Sequence, residues 1–141
     1  MSISPLPLPE RIDDESAMVR YLGALLTADG ASGRRDLWVF MLDGDGHPLD
    51  PATCVDDVPA DPAPRFTGNL FLLFRRTLAS VAPDGSVAMA LERPGPPQVC
   101  LSDRQWASAL RWGARREGVR LHGPYLVVGG RVRRLPDGEA N

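Results

Sequence analysis

A single α/β domain, with a mixed central β-sheet flanked by about three helices, is what this sequence predicts. Apolar residues recur at helical spacing in three segments, and short apolar runs lie between them. Glycine and proline punctuate the joins. At 141 residues the chain has the length of one domain and can bury a core without metal or disulfide support.

Residues 1–12 read as an extended Pro-rich arm, because proline removes backbone donors and biases its predecessor away from helix. The domain proper spans residues 13–136. Asp13 or Asp14 caps a first helix through Ala28, with Met18, Tyr21, Leu22, Leu25 and Leu26 as its apolar stripe. Asp29-Gly30 ends it. Leu37 to Leu42 is continuously apolar, and its length and flanks assign it to a buried strand. Asp43-Gly44-Asp45-Gly46 is a hairpin turn, and residues 47–58 return as a weaker strand broken by Pro48 and Pro51. Asp61 to Pro64 break the chain again.

A second helix, Phe66 to Val81, sets Leu70, Leu73, Phe74, Thr77, Leu78 and Val81 on one side. Pro83-Asp84-Gly85 turns into an apolar strand, Val87 to Leu91. Glu92 to Gln98 holds three prolines and a glycine and is an irregular loop at that strand's C-terminal end. Ser102 to Gln105 reads as a capping box opening a helix to Glu117, which Gly118 ends in the left-handed conformation. Val119 to Leu121, Tyr125 to Val128 and Arg131 to Leu135 finish as short strands before a tail, 137–141.

The net charge of −2 and pI near 5.6 argue against bulk electrostatic binding to nucleic acid. No apolar run approaches the ~18 residues needed to cross a bilayer. Met1 to Glu10 lacks the basic start of a signal peptide, so a cytoplasmic address and no membrane contact are expected. Two cysteines, Cys54 and Cys100, are too few for a disulfide framework. No two of His47, His122, Cys54 and Cys100 fall at ligand-motif spacing, so neither a metal nor a cofactor is expected.

All 16 basic residues are Arg, which reflects the codon bias of a GC-rich genome better than selection for guanidinium chemistry. Residues 1–64 hold 12 acids against 4 Arg, and residues 100–141 hold 4 acids against 8 Arg. That asymmetry marks either a partner-binding face or two halves of one domain neutralising each other. On the third helix Arg104, Arg111 and Arg115 share a face, with Arg116 and Trp112 beside them. Trp106, Ala107, Leu110 and Ala114 point towards a core. This composition reads as a solvated Arg face with a partly covered Trp, as a protein partner's contact surface, or as a site for nucleic acid or an acidic ligand.

The order of elements, α-β-β-α-β-α-β-β, and several landmarks resemble the RadC-like branch of the JAB/MPN (JAMM) domain family across residues 13–135. A strand after the first helix ends in Leu-Asp in that family, as Leu42-Asp43 does here. A later apolar strand ends there in His-x-His-Pro-Ser-Gly, where this chain has Leu91-Glu92-Arg93-Pro94-Gly95. Leu101-Ser102-Asp103-Arg104-Gln105 stands at the family's Ser-x-x-Asp step, and Gly118-Val119 precedes His122-Gly123-Pro124-Tyr125.

This resemblance implies the cytidine-deaminase-like JAB/MPN architecture. In the family two His and one Asp hold zinc, and a Glu stands near the activated water. Carried over residue by residue, the His positions fall on Leu91 and Arg93 and the Asp position on Gln105. The Glu position falls near Arg35, with Asp36 adjacent. Leucine cannot ligate, arginine does not deprotonate, and glutamine is a poor zinc ligand.

The resemblance therefore implies a metal-free relative, not an enzyme, that acts as a protein-interaction or scaffold module. Its contact surface would be the former cleft (Arg35, Asp36, Leu91, Glu92, Arg93, Ser102, Gln105) or the Arg/Trp helix. Glu92 and Arg93 are expected to pair with each other or with Asp36 and Arg35. A nucleic-acid accessory role by family analogy, and an enzyme with an unrecognised non-metal site, stand as the alternatives. Self-association is left open.

Overall fold

Successive side chains of a strand point to opposite faces, so a strand that is apolar throughout needs cover on both. The computed structural model, which describes residues 11–12, 14–26 and 34–136, supplies that cover. Its elements run α1 (Glu15–Leu26), β1 (Asp36–Leu42), β2 (Pro48–Val55), α2 (Pro64–Val81), β3 (Ser86–Glu92), α3 (Leu101–Glu117), β4 (Leu121–Val128) and β5 (Arg131–Arg134). This is a single α/β domain in the predicted element order, built on a mixed five-stranded sheet ordered β2-β1-β3-β4-β5. β1 is antiparallel to both β2 and β3, and β5 is antiparallel to β4. β3 and β4 are parallel, which requires a crossover, and α3 provides it.

The two-residue alternation sorts the core. Leu37, Val39, Val87, Met89 and Leu91 face α2 and α3, where they meet Phe71, Phe74, Leu78, Trp106 and Leu110. Phe40, Leu42, Ala88, Ala90, Tyr125 and Val127 face α1 and its Met18, Leu22 and Leu26. Ala88 and Ala90 are both fully buried, so one helix covers the centre of that face closely. A third group, Ala107, Leu126, Val128 and Leu135, seals α3 against β4 and the segment after β5.

Several boundaries differ from the sequence reading. Asp14 caps α1, accepting the Ala17 N–H at 2.8 Å, and the described part of the helix ends at Leu26 rather than Ala28. Asp13, the rest of the arm up to residue 10, residues 27–33 and the tail 137–141 lie outside the described residues. Ile12, assigned to the arm, is buried, and its N–H donates to the Gly46 carbonyl at 2.9 Å. α2 begins at Pro64 because proline suits the first helical turn, where its missing N–H has no partner to lose.

Val119–Leu121 and Tyr125–Val128 are not two strands in sequence. β4 runs through Gly123-Pro124, and the irregularity is absorbed as a register shift against β3 between Ala88 and Ala90. Gly118 takes the predicted left-handed conformation, φ 69°, at the end of α3. Both sheet edges are poor templates for further pairing. β2 carries Pro48 and Pro51 and slips register between Val39 and Met41, while β5 has four residues, three of them Arg.

Gly113 allows α3 to lie against α2. A Cβ there would stand 2.7 Å from Cδ2 of the fully buried Phe71 ring. Gly113→Ala should therefore lower the unfolding free energy by about 1–3 kcal/mol, although alanine is the better helix former. Urea titration measures it, and an unchanged or higher stability contradicts this packing.

Candidate functional site

Pro94, Pro96 and Pro97 give the loop after β3 carbonyl acceptors without their own N–H donors. Arg93 makes good the shortfall. Its Nη1 donates to the Pro94 carbonyl at 2.9 Å and to the Pro96 carbonyl at 2.8 Å. Its Nη2 donates to the Gln98 carbonyl at 2.9 Å and to Asp103 Oδ2 at 2.7 Å, and its Nε to Asp103 Oδ1 at 2.8 Å. A guanidinium has five N–H donors, and all five are taken. Arg93 is 6% exposed and Asp103 0%.

Asp103 also accepts the Cys100 N–H at 2.9 Å, which makes Cys100 the N-cap of α3 and Asp103 its third residue. The capping box therefore sits two residues before the expected Ser102–Gln105. Ser102 falls inside the first turn, and its hydroxyl donates to the Ala60 carbonyl, tying α3 to the loop ahead of α2. Burial alone would push the Asp103 carboxyl up; the bonds from Arg93 and from the Cys100 amide outweigh it, and the net shift is down. The same pairing raises Arg93 further.

The other cleft positions separate. Leu91 is fully buried in the core under α2 and α3, and Gln105 is exposed on the surface of α3. Asp36 and Glu92 are direct cross-strand partners on the α1 face. Glu92 accepts the Trp38 indole N–H at 3.0 Å. Asp36, buried, accepts the Asp57 N–H at 3.0 Å and lies 3.4 Å from Arg34 Nε. Arg93 thus pairs with Asp103, not with Glu92, because it leaves β3 on the opposite face. Arg35 is half-buried, and its Nε has no hydrogen-bond partner among the described residues.

Two groups of ligand-type atoms come together that sequence spacing did not show. Asp36, Cys54 and Asp56 place theirs within 4.8 Å of one another, as do Asp43, Asp45 and His47. In the first, Arg34 reaches both carboxylates, at 3.4 and 3.8 Å. Burial, and then the bond to Asp56, push the Cys54 thiol up to about 12. In the second, Asp43 is engaged by the N–H groups of Asp45 and His47, each at 2.9 Å, as the acceptor of a turn.

On α3 the predicted Arg face divides. Arg111 is turned back on the molecule, its guanidinium donating to the Leu135 and Pro136 carbonyls. Arg104 and Arg115 are exposed. Trp112 is 50% exposed, with the Arg116 guanidinium 5.1 Å from its ring centre. Trp106, by contrast, is fully buried and donates its indole N–H to the Pro59 carbonyl at 3.0 Å.

Sequence reasoning missed the role of Asp103. The signal for it was there: a run of prolines needs donors brought in, and an Arg stood at its start. Ser86 and His122, which hydrogen-bond at 2.8 Å, are 36 residues apart and carried no motif. Comparison with known proteins adds no further guide: no family model matches the chain, and no curated protein does.

Asp103→Ala and Arg93→Met should each cost about 3–5 kcal/mol, since each strands a buried polar partner. Because Asp103 titrates lower when folded, its contribution is complete above its unfolded pKa of about 3.9 and is lost as the pH falls through the folded value. Urea midpoints from pH 2 to pH 7 check both, and Asp103→Asn should flatten the acid limb of the profile.

Proposed function

We propose that this chain is a JAB/MPN-like domain that has lost its metal site and works as a protein-interaction module. One observation carries the reading. At a position where the resemblance puts a zinc-binding histidine, a buried guanidinium already satisfies the neighbouring carboxylate and donates to three loop carbonyls. The other histidine position, Leu91, is a core side chain without a donor atom.

Within this reading the family's Asp position stays on the exposed Gln105, and the nearby carboxylate of Asp103, two residues earlier, is taken up by Arg93. Arg93 supplies the positive charge that the buried Asp103 carboxylate requires. The residues present do not fit zinc, so no peptidase step is derived for them. The α-β-β-α-β-α-β-β element order and the mixed central sheet support the reading.

The five donors of Arg93 are internally engaged, which favours α3 over that part of the cleft as the contact surface. Trp112 offers a half-exposed ring under a guanidinium, and Arg104 and Arg115 flank it along the same outward side. Aromatic and Arg side chains are the residue types that dominate binding energy at protein interfaces. Both cysteines are free thiols, and no described helix is long and apolar enough to cross a membrane. A cytoplasmic address belongs to the same proposal.

Elemental analysis of protein purified without added metal or chelator should find no stoichiometric zinc; one zinc per chain overturns the reading. Trp112→Ala should change stability by no more than about 0.5 kcal/mol. The same substitution should weaken a captured partner's binding by about 2 kcal/mol or more, read by calorimetry. Binding that collapses with salt and competes with DNA would favour the nucleic-acid alternative instead.

A further inference from the structure

β3 has two ends, and the second holds chemistry that the lost metal site does not involve. A cavity of about 380 Å³ opens where β3 and β4 begin, within the range of small-molecule sites (roughly 300–1,000 Å³). Ser86, the first residue of β3, and His122, the second of β4, stand on its wall with Oγ and Nε2 2.8 Å apart. The parallel register, Val87 to Leu121 and Ala88 to His122, holds the pair on two rigid central strands rather than on loops. Ser86 is 5% exposed and is one of the residues that line the cavity.

A serine hydroxyl becomes a useful nucleophile when a base within hydrogen-bond reach takes its proton. His122 meets that condition in the tautomer with its proton on Nδ1. Burial, and then the charge of Arg120, hold its pKa below the ordinary histidine value, so the ring is a neutral acceptor at pH 7. The cavity wall carries Arg11, Arg120 and Arg134 together with Asp14, Glu15, Asp43, Asp45 and Asp84, and Arg134 is paired with Glu15 at 3.5 Å, so the site is polar and of mixed charge.

We propose that Ser86 and His122 form a nucleophile–base pair that hydrolyses small carboxylic esters admitted by this cavity. Ser86 Oγ bonds to the ester carbonyl carbon as its proton passes to His122 Nε2. The bond from that carbon to the alkoxy oxygen breaks, and the same proton leaves with the alcohol. Water then attacks the acyl-serine, giving its proton to Nε2, and the carboxylic acid departs as Ser86 regains its hydroxyl.

The test treats the full-length chain with a fluorophosphonate, in which Ser86 Oγ replaces fluoride on phosphorus, and locates the adduct by peptide mass mapping. The expected result is one adduct per chain, at Ser86, and none in Ser86→Ala. His122→Gln should label about 100-fold more slowly or worse. Turnover of p-nitrophenyl acetate should fall in the same order, with circular dichroism confirming that each variant is folded. An unmodified Ser86 in folded wild-type protein overturns the proposal whatever the variants do. Labelling that is equally fast in His122→Gln, or wild-type labelling without ester turnover, overturns it as well.

Discussion

Arg93 brings a permanent charge into the protein, and the surrounding fold has to meet it with enough acceptors to replace water. Two come from one carboxylate and three from the backbone of a loop that prolines have left short of donors. The dependence runs both ways. Without the guanidinium the buried Asp103 would keep only the Cys100 amide as a donor; without Asp103 and the loop carbonyls the guanidinium would be buried and unmet. Lysine could not substitute, since an ammonium has three donors and no planar fork to match a carboxylate.

This pairing also fixes how the layers meet. Asp103 is bonded to the Cys100 amide, so the residue that answers Arg93 also starts α3. From that start the helix carries Trp106, Leu110 and Ala114 down onto the Leu37–Val87–Met89 face of the sheet. Gly113 and Phe71 then set how closely α2 lies beside it. The end of β3, the loop and the helix therefore act as one unit, and the central parallel pair is returned in register by it.

Periodicity made most of the fold legible. Leu37 to Leu42 read as a buried strand because only a residue-by-residue apolar run can serve two faces, and β1 does so with Leu37 and Val39 on one side and Phe40 and Leu42 on the other. Local rules failed where a distant partner decided the outcome. Ser102 looked like the better cap by residue type, but a buried Arg ten positions from Asp103 had already placed that carboxylate beside Cys100. Gly123-Pro124 looked like a break, yet pairing with β3 on one side and β5 on the other carries β4 through it. The Arg face of α3 was legible as composition, but its division into an inward Arg111 and an outward Trp112 depends on where the chain after β5 passes. The Ser86–His122 contact could not be read at all, because parallel register relates residues that sequence keeps apart.

The state of the two outer strands bears on how this protein behaves in a crowd. An open sheet grows by adding strands to its rim, the first step towards fibres and amorphous deposits. Here one rim is interrupted by Pro48 and Pro51, and the other is a four-residue strand on which Arg131, Arg133 and Arg134 would repel a second copy brought alongside. Both described edges therefore disfavour backbone pairing between copies. Among the described residues the helices present side chains rather than open backbone, and those surfaces can change in sequence without exposing the sheet to polymerisation.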